Sequence, residues 1–422
     1  MQHVVIGAGP SGVIAAETLR KLQPAASVTL LGDEPEPPYS RMAIPYFLTK
    51  QIAEQGTHLR KTSDHFAQRD IKIKQTRVAS LDRVAQQLTL AGGEKLHYDK
   101  LLIATGSRPI SPPIPGIDLP GVTSCWTLAD ARRIASTAKP GARVVLMGAG
   151  FIGCIILEAL AKSGASLTVV EMEGRMVPRM MNDTAGNMIK DWCQEHGVTV
   201  HTSTKVNAIE KNGAALRVVL NSGAAIEADM VVSATGVRAN IDLVKGTGIA
   251  TDQGILVNRQ MQTNDACVFA AGDVAQGIDF STGEFSVQAI QPTAADHGQL
   301  AARNMAGQKG AVHRGCVNMN VLDTLGLISS SFGLWMGKTG GDAAELLNRE
   351  RYRYLNLQFE DDVLVGATSL GLTQHVGVLR GLIQTKTRLG AWKKKLVADP
   401  TRIMEAYLVS TQAVGFNAGI LK

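Results

Sequence analysis

The stretch HVVIGAGPSGVIAAETLRKL, residues 3–22, carries the strongest structural signal in this chain. An apolar run leads into a GxGxxG motif at Gly7, Gly9 and Gly12, and a helix pattern follows. In such a unit the first glycine permits a tight turn, the second lets the backbone approach a pyrophosphate, and the third lets helix and strand pack closely. The sequence therefore predicts a nucleotide site, with the pyrophosphate at the N-terminus of the helix.

A second apolar strand, SVTLLGDE at residues 27–34, completes this unit and ends in Asp33 and Glu34. An acid about 20 positions beyond the glycines accepts hydrogen bonds from a ribose, and either residue fits that role. A bare GxGxxG motif is weak evidence, but the context of strand, helix, strand and acid makes it specific.

The same unit returns at residues 143–171, RVVLMGAGFIGCIILEALAKSGASLTVVE, with glycines at 148, 150 and 153 and with Glu171 ending the second strand. Two complete units predict that the chain binds two nucleotides. A carboxylate at this strand end suits the free 2′-hydroxyl of NAD and repels the 2′-phosphate of NADP. We therefore predict NADH in preference to NADPH, although Arg175 lies close in sequence.

Further segments are also paired. LLIATGSRP (101–109) and VVSATGVRAN (231–240) each end a strand in Ala-Thr-Gly, and each follows a hairpin-like alternation, LTLAGGEKLHYD or LRVVLNSGAAIEAD. Each nucleotide domain is thus expected to combine a parallel sheet with a small antiparallel meander. A third junction, CVFAAGDVA (267–275), places Asp273 after Gly272, where the acid can accept hydrogen bonds from polyol hydroxyls or cap the next helix.

The composition is that of a globular protein of two or three domains: 422 residues, 45% hydrophobic and 19% charged. No apolar run reaches about 18 residues and a strand pattern begins almost at Met1, so we expect neither a spanning helix nor a signal peptide, and a cytoplasmic location. The net charge of +6 is a mild signal that favours an acidic protein partner or weak nucleic-acid contact. The basic stretch TKTRLGAWKKK (385–395) fits a solvated helix face better than a nucleic-acid site.

The cysteines are scattered and form no CxxC pair, which argues against a disulfide framework, a metal site or a dithiol centre. We interpret them all as buried thiols that pack as small hydrophobes. They are Cys125, Cys154, Cys193, Cys267 and Cys316.

Taken in order, the motifs GAGPSG, ATGSRP, GAGFIG with Glu171, ATGVRA and AAGDVA resemble those of the two-dinucleotide-domain flavoprotein reductases, which are pyridine nucleotide-disulfide oxidoreductase-like. This class includes rubredoxin and ferredoxin reductases, the flavin portion of nitrite reductases and NADH oxidases. The resemblance implies an α/β fold with two Rossmann-like domains, one for FAD and an inserted one for NAD, and a C-terminal α+β interface domain. The implied domains are 1–114 and 246–320 for FAD, 115–245 for NAD, and 321–422 for the interface domain. In relatives the interface domain makes a dimer face or helps cover the flavin, and the resemblance implies a homodimer.

The C-terminal domain has the weakest signal. RYRYLNLQFEDDVLVGATSLG (351–371) predicts two strands around an acidic turn, and helices are predicted through HVGVLRGLIQTK (375–386) and DPTRIMEAYL (399–408).

The resemblance also implies the cofactor-binding residues. Those for FAD are Gly7, Gly9, Pro10, Ser11, Gly12, Asp33 or Glu34, Arg41, Thr105, Gly106, Gly272, Asp273, Gln291, Pro292 and Thr293. Those for NAD are Gly148, Gly150, Phe151, Ile152, Gly153 and Glu171, and Arg108 and Gly236 of the Ala-Thr-Gly segments complete the set. The helix in 289–307 would point its N-terminus at the flavin and stabilise the negative charge of the reduced ring. His297, further along this helix, is expected on the helix surface or in packing.

By the same resemblance, the loop YSRMAIPYFLTK (39–50) lies beside the flavin. Disulfide-reducing relatives carry a redox cysteine where this chain has Met42, and a thioether forms neither a thiolate nor a sulfenic acid. Ferredoxin reductases carry a lysine and a glutamate where this chain has Tyr46 and Ile155, so both members of that ion pair are absent. Glu158, one helical turn beyond Ile155, stays open as a less favoured partial substitute for the glutamate. The flavin edge thus has shape and no catalytic group of its own.

These features predict an enzyme that passes electrons from NADH through FAD to a separate rubredoxin-like or ferredoxin-like protein. Hydride transfer needs no acid or base from the protein, because the cofactors carry the chemistry. Two alternatives stay open: an NADH oxidase-like enzyme that uses a small oxidant, and a flavin-bearing electron-transfer subunit that reacts weakly with nicotinamide.

Overall fold

The computed structural model describes residues 1–308 and 310–420 of the chain. Its helices are α1 (Pro10–Leu22), α2 (Ile44–Leu48), α3 (Leu128–Thr137), α4 (Phe151–Lys162), α5 (Asp183–Glu195), α6 (Gln291–Met305), α7 (Val376–Thr385), α8 (Trp392–Ala398) and α9 (Ile403–Ile420). Among these described helices, none combines the length and the apolar character needed to cross a membrane.

The strands occur singly or in runs before and between the helices as far as α6, and the rest form one run between α6 and α7. They are β1 (Gln2–Ile6), β2 (Ser27–Gly32), β3 (Ile71–Gln75), β4 (Val78–Asp82), β5 (Gln87–Leu90), β6 (Lys95–His97), β7 (Lys100–Ile103), β8 (Ser107–Pro109), β9 (Val122–Ser124), β10 (Arg143–Met147), β11 (Ser166–Val170), β12 (Thr199–His201), β13 (Val206–Asn212), β14 (Ala215–Leu220), β15 (Ala225–Ala228), β16 (Met230–Ser233), β17 (Val237–Ala239), β18 (Ile255–Leu256), β19 (Val268–Ala270), β20 (Ala275–Ile278), β21 (Phe285–Val287), β22 (Met319–Thr324), β23 (Leu327–Gly333), β24 (Asp342–Asn348), β25 (Arg353–Glu360) and β26 (Val363–Leu370).

The described chain divides into two compact units. The first unit contains Met1–Ile110, Val237–Asp279 and Gly283–Cys316. The second contains Ser111–Gly236, the short segment Phe280–Thr282 and the chain from Val317 onward.

A parallel sheet in the order β19–β7–β1–β2–β3 forms the centre of the first unit. β1 is paired on both sides, with Val4 beside Thr29 of β2 and beside Leu101 of β7. Leu101 and Leu102 are fully buried, as expected of a parallel strand covered on both faces. Helices α1 and α6 pack against each other in this unit. The α/β fold class predicted from the sequence is confirmed.

Smaller antiparallel elements complete the first unit. β4, β5 and β6 form a meander in which Leu88 lies beside Leu96, as the alternation at residues 88–99 predicts. β8 pairs antiparallel with β17 and thereby joins the chain before the second unit to the chain that returns from it.

The second unit repeats this plan. Its parallel sheet runs in the order β12–β11–β10–β16–β9, and β13, β14 and β15 form its meander, with Val218 beside Ile226. α3 begins with a capping box, in which the Thr127 side chain accepts from the Asp130 N–H group and the Asp130 side chain accepts from the Thr127 N–H group. The predicted repetition of the nucleotide-binding domain is confirmed.

The C-terminal part of the second unit is an antiparallel sheet in the order β22–β23–β26–β25–β24. β25 and β26 flank the acidic turn at Asp361 and Asp362, and α7 and α9 form where the helices are predicted. α4 contacts β22, and the Asn182 side chain donates to the Tyr354 hydroxyl at 2.6 Å. The second glycine motif and the C-terminal sheet therefore share a unit.

Candidate nucleotide-binding sites

The turn between β1 and α1 needs glycine for two different reasons. A Cβ atom on Gly7 would lie 2.0 Å from the Ala104 carbonyl oxygen, and one on Gly12 would lie 1.9 Å from the Gly7 carbonyl oxygen. Gly7 also has a φ of +112°, which L side chains disfavour. A Cβ atom on Gly9 would meet nothing described within 4 Å. Packing thus requires glycine at 7 and 12, while Gly9 leaves open backbone for a pyrophosphate to approach.

The start of α1 has the polar groups that a phosphate needs. Gly9 is the N-cap residue and Pro10 is the first helical residue, so no N-cap side chain occupies the helix N–H groups. The Ser11 hydroxyl is buried and lacks a hydrogen-bond partner among the described residues. A Cβ atom on Gly298 of α6 would lie 2.2 Å from the Ser11 carbonyl oxygen. An unsatisfied hydroxyl at a helix N-terminus fits the phosphates of a dinucleotide such as FAD.

A closed polar cluster follows β2. Arg41 Nη2 donates to Glu34 Oε1 at 2.5 Å, and Arg41 Nη1 donates to the Tyr39 hydroxyl at 2.7 Å. The Tyr39 hydroxyl in turn donates to Glu34 Oε2 at 2.5 Å. Asp33 is exposed. The structure therefore distinguishes the two acids that the sequence leaves equivalent, because it orients Glu34 and leaves Asp33 in solvent.

Asp273 follows β19 at a turn that also requires glycine, since Gly272 has a φ of +75°. The Ser107 hydroxyl donates to Asp273 Oδ2 at 2.8 Å. Burial raises the pKa of the Asp273 carboxyl, and the hydrogen bond from Ser107 and the charge of Arg41 lower it by less. Asp273 lies in a 3-10 turn that β20 follows, so the helix-capping alternative is wrong.

The first Ala-Thr-Gly segment is fastened to the residues that follow β17. Thr105 Oγ1 donates to the Asn240 carbonyl oxygen at 3.1 Å, and the Asn240 side chain donates to the Thr105 carbonyl oxygen at 2.8 Å. Arg108 donates to the Asn240 side chain at 2.7 Å and pairs with Asp242 at 2.5 Å. Gly106 has a φ of +67°. The sequence motifs did not indicate a role for Asn240 or Asp242, although Asn240 ends the segment VVSATGVRAN.

The loop at 39–50 contacts the N-terminus of α6. Ser40 Oγ donates to Gln291 Oε1 at 2.5 Å. The N-cap residue of α6 is Ile290, whose side chain has no acceptor, and Pro292 is in the first turn. The Met42 and Tyr46 side chains on this loop are 44% and 54% exposed, so they are available to a ligand or a partner.

The second glycine turn, between β10 and α4, has the same geometry. A Cβ atom on Gly148 would lie 2.6 Å from the Ala234 carbonyl oxygen, and one on Gly153 would lie 2.2 Å from the Gly148 carbonyl oxygen. A Cβ atom on Gly150, the N-cap residue of α4, would meet nothing described within 4 Å. This turn can therefore also hold a pyrophosphate.

Glu171 faces back toward this turn. Its Oε2 accepts from the Ala149 N–H group at 2.6 Å, and its Oε1 accepts from the Glu173 N–H group at 2.8 Å. Arg175 is paired with Asp183 at 2.7 Å and also donates to two backbone carbonyl oxygens. Arg175 is thus committed to structural bonds, which removes the sequence argument for a 2′-phosphate site.

The remaining candidates near the second turn lie where α4 begins or where its sheet ends. Phe151, Ile152 and Ile155 are half-buried on α4, and Gly236 has a φ of +114°. Glu158, one turn beyond Ile155, pairs with Lys162 on the same helix. Glu158 is therefore held by an i,i+4 pair.

Two expectations about cysteine and histidine need correction. Cys267 is half-exposed, whereas the other cysteines are buried as predicted. His297 is 4% exposed, so of its two expected locations the helix surface is wrong and packing is right. Cys316 is grouped with His297 and His313, which the scattered spacing of the cysteines did not indicate. The HRGC segment, with His313 three positions before Cys316, was the available signal.

Comparisons with known proteins agree with this geometry. A family model described as pyridine nucleotide-disulphide oxidoreductase matches residues 1–298. Subunit epsilon of the NADH-dependent phenylglyoxylate dehydrogenase of Aromatoleum evansii is 30% identical over 95% of this chain and 96% of its own length. Rubredoxin-NAD(+) reductase of Pseudomonas putida is 27% identical over 91% of this chain and 99% of its own length.

A solved structure shares the fold. The covalent complex of putidaredoxin reductase with putidaredoxin matches 97% of this chain and 99% of the compared chain, with a TM-score of 0.89 and 22% identity. At this identity the match is evidence for the fold alone.

Proposed function

Because the chain belongs to the pyridine nucleotide-disulphide oxidoreductase family, we propose that it is an FAD-dependent reductase that passes electrons from NADH to a separate redox protein of the rubredoxin or ferredoxin kind. The family predicted from the motifs is confirmed, and the chain is an oxidoreductase whose cofactors are FAD and NAD. The observation that carries the acceptor is Met42, which stands where a redox thiol would keep the electrons within the chain.

The first unit would hold FAD. The turn at Gly7, Gly9 and Gly12 and the Ser11 hydroxyl would bind its phosphates, and the fixed carboxylate of Glu34 would accept from the adenosine ribose. Asp273 would contact the same cofactor. Burial disfavours the charged form of its carboxyl, and hydrogen bonds donated by hydroxyl groups of FAD would stabilise that form. FAD, when bound, supplies an acceptor of hydride that releases electrons to a carrier.

The flavin environment would also be shaped by the α6 N-terminus and by the first Ala-Thr-Gly segment. The α6 N-terminus with Gln291, Pro292 and Thr293 would place helix N–H groups at the flavin, where they favour negative charge. Thr105, Gly106 and Arg108 would support the cofactor, because the hydrogen bonds of Thr105 and Arg108 with Asn240 fix this segment.

In the second unit, Gly148, Gly150 and Gly153 would bind the NADH pyrophosphate at the α4 N-terminus. Glu171 would accept from the 2′-hydroxyl of its adenosine ribose and repel a 2′-phosphate, which supports NADH over NADPH. Phe151, Ile152, Ile155 and Gly236 would line this site.

The acceptor is supported by both chemistry and charge. Met42 and Tyr46 replace the thiol and the lysine of relatives, so the loop supplies no thiolate and no cation at the flavin edge. A chain with net charge +6 attracts an acidic carrier at long range. The rubredoxin reductase relative is similar over nearly its whole length.

A second candidate is an electron-transfer subunit of a larger enzyme. It is favoured by the match to subunit epsilon of phenylglyoxylate dehydrogenase, which covers 96% of that subunit. In this case the physiological acceptor would be a partner subunit in place of a diffusing carrier.

The test is an anaerobic titration of the FAD-loaded protein with NADH and, separately, NADPH, followed at the flavin absorption band. We expect NADH to bleach the flavin within seconds and NADPH to do so more slowly. Addition of a rubredoxin or ferredoxin should then restore the band faster than air does. A flavin that NADH leaves oxidised would contradict the reductase. Reduction by NADH without reoxidation by a carrier would favour the subunit, while reoxidation by air alone would favour the oxidase.

A matched pair of variants tests the loop. Met42→Cys should gain disulfide reductase activity if the loop borders the flavin, whereas Met42→Ala should gain none. Equal activity in the two variants would contradict the proposed position of the loop.

We propose the same domain division that the resemblance implies, 1–114, 115–245, 246–320 and 321–422. The unit boundaries near 110, 236 and 316 support it in part. A cytoplasmic location and a homodimer belong to the same proposal, and light scattering of the purified protein tests the dimer.

A further inference from the structure

A group of metal-binding side chains lies in the first unit, and the proposed nucleotide chemistry does not use it. His297 projects from the middle of α6, and His313 and Cys316 follow that helix in the chain. Their ligand atoms all lie within 4.8 Å of one another. Cys316 Sγ is 3.3 Å from His297 Nε2 and 3.7 Å from His313 Nε2.

We propose that His297, His313 and Cys316 bind a zinc ion. A thiolate and an imidazole on a tetrahedral zinc ion, with bonds of about 2.3 and 2.0–2.1 Å, lie about 3.6 Å apart. The two sulfur–nitrogen distances, 3.3 and 3.7 Å, bracket this value. The ligand set of thiolate and imidazole is one that zinc prefers, and a water molecule completes the tetrahedron.

The surroundings of the three ligands favour a cation. The carboxylates of Asp279 and Asp296 both act electrostatically on Cys316, and Asp296 also acts on His313. Arg259 is the opposing charge near His313. Cys316 and His297 are buried while His313 is half-buried, so the ion would enter from the His313 side. On binding, the Cys316 thiol releases its proton to solvent, because the thiolate is the ligand.

One hydrogen bond must break when the metal binds. The Gly315 N–H group donates to His313 Nδ1 at 3.1 Å, so a neutral ring carries its proton on Nε2. Coordination through Nε2 requires the other tautomer, which cannot accept from Gly315. Gly315 has a φ of +102°, a conformation that glycine adopts freely, so this short turn can relax. His313 should therefore contribute less to affinity than Cys316.

The site would fasten the segment 313–316 to α6. An ion that binds the folded state alone raises its stability by mass action. The alternative is a metal-free network in which the Cys316 thiol donates to His297 Nε2. These two states differ in metal content, so they are directly distinguishable.

The experiment measures zinc uptake of the FAD-loaded protein, purified without a histidine tag and stripped with a chelator. Equilibrium dialysis against zinc and elemental analysis give the stoichiometry. Cobalt(II) in place of zinc reports tetrahedral geometry through absorption at longer wavelength than the flavin band. The variants are Cys316→Ser and His297→Gln, and the matched control is Cys267→Ser, which alters a cysteine outside the group.

We expect wild type and Cys267→Ser to take up equimolar zinc, to show the cobalt absorption and to unfold at a higher temperature with zinc. Cys316→Ser and His297→Gln should bind zinc at least about tenfold more weakly, which corresponds to ~1.4 kcal/mol. The zinc affinity of His313→Ala should lie between that of wild type and that of Cys316→Ser. This variant provides the test if a substitution at a buried position prevents FAD retention. Uptake by wild type no greater than that of Cys316→Ser, or equal loss in Cys267→Ser, would overturn the proposal.

Discussion

Alanine substitutions in the second glycine turn separate packing from binding. An added Cβ atom on Gly153 would meet the Gly148 carbonyl oxygen at 2.2 Å, so the turn itself would have to move. Replacing glycine by alanine inside a helix is worth about 1 kcal/mol in favour of folding. Overpacking costs about 1–3 kcal/mol, and a contact with rigid backbone belongs at the upper end. We therefore expect Gly153→Ala to lower the free energy of unfolding by about 1–2 kcal/mol.

Gly150→Ala should behave in the opposite way. Its Cβ atom would meet nothing described within 4 Å, and its φ of −73° and ψ of −170° suit alanine. The loss of an N-cap glycine costs about 0.5 kcal/mol, so folding should be nearly unchanged. The new methyl group would stand where a pyrophosphate approaches. We expect the affinity for NAD to fall at least about tenfold, or ~1.4 kcal/mol.

The unfolding assay reports on the same unit that carries the two substitutions. All 4 tryptophans, at 126, 192, 335 and 392, belong to the second unit, so urea unfolding followed by tryptophan fluorescence reports on the unit that carries both substitutions. Titration calorimetry with NAD gives the affinity. Wild-type affinity in Gly150→Ala, or wild-type stability in Gly153→Ala, would contradict these roles of the two glycines. Gly9→Ala and Gly12→Ala provide the same comparison for FAD in the first unit.

Three further predictions concern the carboxylates of Glu171, Asp273 and Glu17. Glu171→Ala should reduce the ratio of kcat/KM for NADH to that for NADPH about tenfold, measured by initial rates, and an unchanged ratio would contradict the proposed ribose contact. Asp273→Ala should weaken FAD retention about tenfold, read from flavin fluorescence on dilution, and full retention would exclude a cofactor contact. Burial raises the pKa of Glu17, but hydrogen bonds from Arg60 and His65 lower it more. Its folded pKa is thus below its unfolded pKa, so this stabilisation is present above the unfolded value and is lost as pH falls through the folded value. Glu17→Gln should flatten the acid side of a plot of stability against pH, and an unaltered slope would remove the argument.

The central fold was predictable because its determinants are local. The turns at Gly7 and Gly148 each need glycine for steric reasons that act within a few residues and one neighbouring strand end. Apolar strands and helix periodicity on either side then admit few topologies, since parallel crossovers are right-handed. The association of the second nucleotide domain with the C-terminal sheet was not predictable, because it depends on contacts such as Asn182 with Tyr354 across 172 positions.

Side-chain clusters were less predictable than backbone turns. Sequence position alone does not distinguish the carboxylate of Glu34 from that of Asp33, but the hydrogen bonds from Arg41 and Tyr39 to Glu34 do. Arg108 lies in a predicted cofactor segment, yet its guanidinium pairs with Asp242, 134 positions away, at 2.5 Å. Spacing along a chain constrains backbone geometry, but it does not determine which charged partner lies nearest in the fold.

The conformation of the loop at 39–50 does not depend on the side chains at positions 42 and 46. Its backbone is fixed on both sides of position 42, by the hydrogen bond from Ser40 to Gln291 and by Ile44, which is 2% exposed. The Met42 and Tyr46 side chains are about half-exposed, so packing does not demand a thioether or a phenol there. A cysteine or a lysine would fit these positions at little cost in folding. The fold therefore does not explain why a cysteine and a lysine are absent here. The proposed function does explain it, because the electron acceptor would lie outside this chain.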